Sequence, residues 1–231
     1  MFLSYLSGNQ LTGESSIDAY INALKLGCRC VECKCCHSGK SVDFIISVDC
    51  WDGDDNEPII YHGHTLVSRI LFKDVVTACK KYAFEKSDYP VIFSIENHCS
   101  VEQQDVMADH LIDILGDLLY VHNINDEEEH VMPSPMHLRK KVLIKAKRRA
   151  SNDEEADSNN HDDVDEAKKK LSKKLSDLVN YIHAVHFPGF EESNAKFYHM
   201  SSFGESKTIG ILEDPEKNVK FVNYNMKQMS R

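Results

Sequence analysis

The chain has 231 residues, of which 42% are hydrophobic and 28% are charged, and its formal net charge at pH 7 is −10. This length and composition are typical of a globular protein with a core of its own, and no basic, aromatic-laced stretch indicates a nucleic-acid partner. No apolar run approaches the roughly 20 residues that a transmembrane segment needs. The first residues, MFLSYLSG, lack the basic start and apolar stretch of a signal peptide.

The predicted elements before residue 150 alternate between helix and strand. The spacing of Ile17, Tyr20, Ile21 and Leu24 predicts a helix over residues 15–26. The elements predicted after it are a strand in EPIIYHG, a helix in LFKDVVTACKKYAF, a strand in YPVIFSIENHC, a helix from Ser100 and a strand in KKVLIKAK. Ser100 with Gln103 three residues later is typical of a capping box, and residues 97–99 are expected to form the preceding turn.

Residues 150–174 are predicted to be a disordered, charged linker. Eight acids and no bases lie between Asn152 and Ala167, and without them the chain has 29 acids against 27 bases. With so few aliphatic side chains, this segment cannot bury enough surface to offset the entropy of ordering. The main interpretation is a solvated acidic loop, and the alternative is a self-inhibitory or membrane-repelling segment.

After this linker, FYHMSSFGESKTIGILED predicts strand, turn and helix, and KFVNYNMKQMSR predicts a final strand. Strands that alternate with helices favour an α/β fold with a mostly parallel sheet, either open or closed into a barrel. In such folds the chemistry lies at the carboxyl ends of the strands. Glu96, His62 and Lys145 fall there.

Long stretches of the chain resemble phosphoinositide-specific phospholipase C. QLTGESSIDAYINALKLGCRCVE, VDCWDGDDNEPIIYHGHTL, SDYPVIFSIENHCSVEQQ and MPSPMHLRKKVLIKAK resemble its X region. LSDLVNYIHAVHFPGFEES, FYHMSSFGESK and NYNMKQMSR resemble the start of its Y region, in the form of the delta-type enzymes. The resemblance implies part of a distorted TIM (β/α)8 barrel, with an X half over 1–149, the acidic linker over 150–174 and a truncated Y half over 175–231.

The resemblance also implies an activity and a site. The family cleaves phosphatidylinositol 4,5-bisphosphate into diacylglycerol and inositol 1,4,5-trisphosphate, and it uses Ca²⁺. By this resemblance Glu32, Asp49 and Glu96 are the calcium ligands, Glu32 or Asp49 is the general base, and His62 protonates the leaving group. Contacts to the headgroup phosphates are expected from Lys145, Lys147, Ser202 and Arg231.

The expected location is the cytoplasm, peripheral to the inner face of the plasma membrane, where the lipid substrate is the expected partner. Eight cysteines without a secretion signal favour reduced thiols in the cytosol over a disulfide framework. The sequence does not identify upstream activators.

One segment interrupts the family motif. Removing residues 33–47 would restore an unbroken VEVDCWDG, in which Glu32 and Asp49 lie two apart on one face of a strand. In the chain as written they are seventeen positions apart. Three explanations stay open: a sequence error such as a retained short intron, a genuine inserted loop, or a structural zinc site that uses Cys30, Cys33 and Cys36.

The ends of the chain also depart from the family pattern. Phe2 and Leu3 occupy the positions of the family's first catalytic histidine and a calcium-binding asparagine, and neither side chain can replace them. The sequence also stops before the family's tyrosine that stacks on the inositol ring. We therefore expect an incomplete and inactive copy of the enzyme. The alternative is a catalytically dead scaffold or phosphoinositide-binding protein.

Overall fold

Strands and helices alternate in the computed structural model, which describes residues 6–7, 14–31, 48–61, 68–122, 124, 131–149, 171–186, 196–201 and 205–215. In these ranges the helices are α1 Ile17–Lys25, α2 Phe72–Tyr82, α3 Val101–Leu115, α4 Lys173–Ser176 and α5 Glu205–Glu213. The strands are β1 Leu6–Ser7, β2 Glu14–Ser15, β3 Cys30–Val31, β4 Val48–Trp51, β5 Ile59–Ile60, β6 Ile70–Leu71, β7 Val91–Asn97, β8 Val142–Lys145, β9 His183–Ala184 and β10 His199–Met200. No helix among them is long and apolar enough to cross a membrane.

The sheet is mixed, and its longest strands are parallel. β3 and β4 both pair in parallel with β7, and β7 pairs in parallel with β8. Ala146, just after β8, forms a parallel bridge to His183 of β9, and β9 pairs in parallel with β10. β4, β5 and β6 form an antiparallel meander. The predicted α/β class is confirmed. The split barrel stays a prediction, because residues 216–231 lie outside the described ranges.

β3 and β4 occupy the same edge of β7. The amide of Ile92 donates to Arg29 O (2.7 Å) and that of His98 donates to Cys50 O (2.8 Å), whereas the amide of Val91 donates to Lys141 O beside β8. Alternate amides of a strand point to the same side, so β3 and β4 lie opposite β8. Val31 pairs with Phe93 and Val48 with Ile95. Only Ser94 lies between these two partners on β7, so a continuous strand would need one residue between Val31 and Val48. The chain has sixteen residues there, 32–47, which is fifteen more than the pairing needs.

Helices α1, α2 and α3 cover one face of the sheet. Their apolar side chains form a buried cluster with Val91, Phe93 and Ile95 of β7. Ile92 points to the opposite face, where it packs against a second cluster that contains Leu143. Because neighbours along a strand face opposite sides, Ser94 and Glu96 follow Ile92 on this second face. The second face is therefore apolar at the start of β7 and polar at its carboxyl end.

The end of the predicted linker is folded. Ser172 is buried and caps α4, and its hydroxyl donates a hydrogen bond to Asp105 of α3. Its amide donates to Gln104 Oε1 at 2.8 Å, and Lys174 forms an ion pair with Asp109. The expectation of disorder is therefore wrong for residues 171–174, because contacts with α3 order them. Residues 150–170 lie outside the described ranges.

Candidate active site

Two carboxylates lie side by side at the carboxyl ends of neighbouring parallel strands. Asp49 of β4 pairs in register with Glu96 of β7, so their side chains share one face of the sheet. The Asp49 side chain is 13% exposed, and the Glu96 side chain is 54% exposed. The Asp49 carboxylate is therefore largely buried, and the Glu96 carboxylate is accessible to solvent.

His98 is the cationic partner of this pair. Its Nε2 lies 3.2 Å from Asp49 Oδ1 and 3.5 Å from Glu96 Oε1. Hydrogen bonds to Asp49 and Glu96 raise the pKa of His98 to about 9, against the opposing effect of burial. The imidazole ring stacks on Trp51 with a centroid separation of 4.2 Å. At neutral pH the imidazolium therefore neutralises part of the charge of the two acids.

The donor set is suited to a hard divalent cation. Asp49, Glu96 and His98 each offer one ligand atom, and these atoms all lie within 4.8 Å of one another. Apart from the ion pair with His98, the buried Asp49 Oδ1 has no hydrogen-bond partner among the described residues. Ca²⁺ prefers carboxylate oxygens to imidazole nitrogen. The two acids are therefore the candidate ligands, and His98 is a neighbouring charge.

Two lysines extend this polar layer toward β8. Ser94 pairs with Lys145, so Glu96 and Lys147, each two residues further on, follow on the same face. Lys145 is only 3% exposed, whereas Lys147 is exposed. Acidic and basic side chains thus share the carboxyl end of the sheet, which could hold a cation and an anionic group together.

The turn after β4 is tied to the start of α3. Asp52 Oδ1 accepts hydrogen bonds from the amide (2.9 Å) and the hydroxyl (3.0 Å) of Ser100. The Gly53 amide donates to Gln103 Oε1 at 3.0 Å, and Gln103 Nε2 donates to Gly53 O at 2.8 Å. A Cβ atom at Gly53 would lie 2.1 Å from Glu57 O, so no larger residue fits. We call Asp52, Gly53, Ser100 and Gln103 the turn clamp.

The structure brings together some of the predicted site residues. Asp49 and Glu96 both lie beside His98 Nε2, with their ligand atoms within 4.8 Å of one another. Lys145 and Lys147 lie on the same face of the sheet. Four predicted site residues lie outside the described ranges: Glu32, His62, Ser202 and Arg231.

Three residues of this site were not predicted from the sequence. The sequence predicts a turn at His98 and a capping box at Gln103, and it gives Trp51 no role. Ser100 Oγ does accept from the Gln103 amide (3.4 Å), but the Gln103 side chain binds Gly53. The available signal was the two-residue spacing, because Trp51 follows Asp49 and His98 follows Glu96 at the interval that keeps side chains on one face.

Two family models match the chain. The X domain of phosphatidylinositol-specific phospholipase C matches residues 2–148, and the Y domain of the same family matches residues 175–231. The first of these covers more than half of the chain.

Individual relatives agree with these matches. The chain is 42% identical over 253 residues to 1-phosphatidylinositol 4,5-bisphosphate phosphodiesterase delta-4 of Xenopus laevis, and 39% identical over 255 residues to the delta-1 protein of Homo sapiens. Each alignment covers 99% of this chain and 31% of the relative, so the chain spans about a third of their length. The crystal structure of S. officinalis PLC21 superposes with a TM-score of 0.74 at 40% identity, over 97% of this chain and 28% of that one. The chain belongs to the phosphatidylinositol-specific phospholipase C family.

Proposed function

We propose that this chain is part of a calcium-dependent phosphodiesterase that cleaves phosphatidylinositol 4,5-bisphosphate to diacylglycerol and inositol 1,4,5-trisphosphate. The observation that carries the proposal is the Asp49–Glu96 pair at the carboxyl ends of two parallel strands. The delta-type relatives carry this activity in their names. We further propose that the enzyme works at the inner face of the plasma membrane, where it meets this lipid.

Asp49 and Glu96 would hold the calcium ion, and we propose Glu32 as a third ligand. When bound, the ion lowers the pKa of the inositol 2-hydroxyl and offsets negative charge on the reacting phosphate. Glu32 is assigned from the family motif. The support for the two other ligands is the pairing of β4 with β7 and the burial of Asp49 Oδ1.

The proton transfers fall to the chain's own side chains. Asp49 or Glu32 accepts the proton of the inositol 2-hydroxyl, whose oxygen then attacks the phosphorus and forms a cyclic phosphodiester. His62 gives its proton to the departing diacylglycerol oxygen, a task suited to a group that titrates near neutrality. Water then opens the cyclic ester to the inositol phosphate.

Basic side chains would bind the headgroup. Lys147 is exposed on the face that carries Glu96, which supports a contact with a ring phosphate. Lys145 pairs with Ser94, two residues before Lys147 on the same face of the sheet, and it is buried. We propose that it contacts the headgroup from the floor of the site. Ser202 and Arg231 are proposed from the resemblance, and the planar guanidinium suits bidentate binding of phosphate.

We also propose that the 231-residue polypeptide does not itself hydrolyse this lipid. Phe2 and Leu3 stand at the positions of a family histidine and asparagine, and their side chains offer neither proton donor nor calcium ligand. The same substitutions favour a second candidate function, a catalytically dead protein that binds phosphoinositides. Calcium-dependent release of inositol phosphate by the purified chain would contradict the proposed inactivity. Binding to vesicles that depends on phosphatidylinositol 4,5-bisphosphate, without hydrolysis, would favour the second function.

The proposed cation site is tested by luminescence of Tb³⁺, a calcium analogue, excited through Trp51. Trp51 is the sole tryptophan of the chain and stacks on His98, so excitation at the long-wavelength edge, where tyrosine absorbs little, selects ions near the Asp49–Glu96 pair. We expect saturable luminescence that added Ca²⁺ displaces.

Glu96→Gln should weaken Tb³⁺ affinity on the order of tenfold or more, because the number of charged ligands sets the affinity of such sites. Asp74→Asn, which removes an exposed acid of α2, is the matched control and should leave the affinity unchanged. Equal Tb³⁺ affinities of the Glu96→Gln variant and the unmodified chain would contradict the proposed cation site.

A further inference from the structure

We propose that Gln103 is a positioning residue, which holds Asp49 in register with Glu96 from the far side of the turn. The inference rests on the proposed function, because the two carboxylates are the proposed calcium ligands. Gln103 touches neither of them. It acts through Gly53, four residues after Asp49 along the chain.

The upstream side of Asp49 lacks the support of a continuous strand. In the register with β7, one ladder position separates Val31 from Val48, yet sixteen residues join these positions in the chain. A short covalent link would fix β4 against β7 through β3. A link of this length does not by itself fix β4 against β7, and among the described residues the placement of Asp49 depends on its own ladder and on the contacts that follow it.

The downstream side carries those contacts. β4 ends at Trp51, and the turn clamp starts with the next residue. Asp52 binds Ser100 and Gly53 binds Gln103, so the chain that leaves Asp49 is tied to the chain that leaves Glu96. These bonds continue the β4–β7 pairing for two residues beyond the strand end.

Gln103 is well suited to fix a position. Its side chain is buried, and its donor and its acceptor both bind the backbone of Gly53. It stands in the first turn of a 15-residue helix, whose buried stripe of Met107 and Leu111 anchors it in the core. A rigid element thus determines where the turn lies, and hence where Asp49 lies.

The test compares two adjacent glutamines of α3 by Trp51-sensitised Tb³⁺ titration and by thermal unfolding. Gln103→Met removes both bonds to Gly53 and should weaken Tb³⁺ affinity on the order of tenfold, the usual cost of losing an outer-shell partner. Gln104→Met is the matched control, because Gln104 is also buried but binds Cys99 O and the Ser172 amide. It should lower the melting temperature and leave the affinity within twofold of the unmodified chain.

A rescue experiment separates positioning from general stability. Deleting residues 33–47 in the Gln103→Met background should restore most of the lost affinity, since a continuous strand would then fix Asp49 from upstream. If Gln103→Met proves insoluble, Gln103→Ala removes the same two bonds to Gly53 without adding a charge and should give a similar loss. Unchanged affinity in the Gln103 variants, or equal losses at Gln103 and Gln104, would overturn the inference. No Tb³⁺ binding by the unmodified chain would overturn the cation site itself, and this inference with it.

Discussion

Arg29 joins the segments in which two helices end. Its guanidinium donates to Leu24 O in the last turn of α1, to Gly27 O just after that helix and to Ala83 O just after α2. It also donates to Ser87 O and Tyr89 O in the loop that leads to β7. Helix ends leave carbonyl groups without partners, and a planar group with five donors can bind several of them at once. One side chain thus fixes the spacing between α1, α2 and β7.

Replacing Arg29 should therefore destabilise the fold. We expect Arg29→Met to lower the free energy of unfolding by about 2–4 kcal/mol, because several carbonyls lose a charged donor together. Arg29→Lys should recover only part of this, since an ammonium group cannot reproduce the fork. Chemical denaturation measures the difference. Arg69→Met is the control, because Arg69 is exposed and lies over the Tyr61 ring; a loss as large as that of Arg29→Met would contradict the assignment.

His183 makes stability depend on pH. Burial lowers its pKa to about 4, and the nearby charges of Arg148 and His199 act in the same direction. An unfolded histidine titrates near 6.5, so between pH 6.5 and 4 the unfolded chain binds more protons than the folded one. The free energy of unfolding should fall as pH is lowered through this window. The Tyr198 ring, 4.5 Å from that of His183, contributes to the burial.

Urea titrations at pH 7.0, 5.5 and 4.5 test this. His183→Gln should flatten the pH dependence relative to the unmodified chain. The exposed His137, replaced by Gln, serves as the control and should leave the slope as it was. A steeper slope in His183→Gln would show that the histidine is charged in the folded state.

At the scale of elements, the interrupted strand is the main departure from a regular fold. Closing a sixteen-residue connection where one residue would suffice costs roughly 2 kcal/mol of chain entropy. Deleting residues 33–47 should therefore raise the melting temperature by several degrees. A fifteen-residue Gly/Ser replacement of the same segment is the control and should leave it unchanged. A fall in melting temperature on deletion, together with zinc in the purified chain, would favour the cysteine site instead.

The sequence predicts elements better than it predicts their contacts. The helices α1, α2 and α3 and the strands β7 and β8 lie within the predicted segments, because their apolar spacing is strong. The predicted capping box is correct for Ser100, which accepts from the Gln103 amide, and wrong for the Gln103 side chain, which binds Gly53. Gly53 becomes available as a partner only when the turn after β4 packs against α3, and local sequence does not specify that packing. The pairing of Asp49 with Glu96 follows from parallel strands. The position of His98 between them depends on the stack with Trp51, which spacing alone does not specify.

For the molecule as a whole, residues 171–186 are part of the same core as the segments before the linker. Leu175, Leu178 and Val179 belong to the cluster beneath α1 to α3. Asn180 accepts a hydrogen bond from the His122 amide and donates one to Tyr120 O, both at 2.9 Å. The sequence predicts two segments joined by an acidic linker. The resemblance implies that both segments belong to one barrel, but the sequence does not specify the Asn180 contacts, because they join residues about 60 positions apart.

Cutting the chain within residues 150–170 should therefore leave its two parts together. After cleavage at a protease site placed at residue 160, we expect both pieces to co-elute in size exclusion at the volume of the uncut chain. Buried apolar side chains and bonds such as that of the Arg149 amide to Ser176 Oγ (2.6 Å) hold them. Asn180→Ala combined with Leu178→Ala should promote separation, because it removes two buried contacts at once. Separation of the unmodified pieces without denaturant would show that the covalent connection, rather than the shared core, keeps the two parts together.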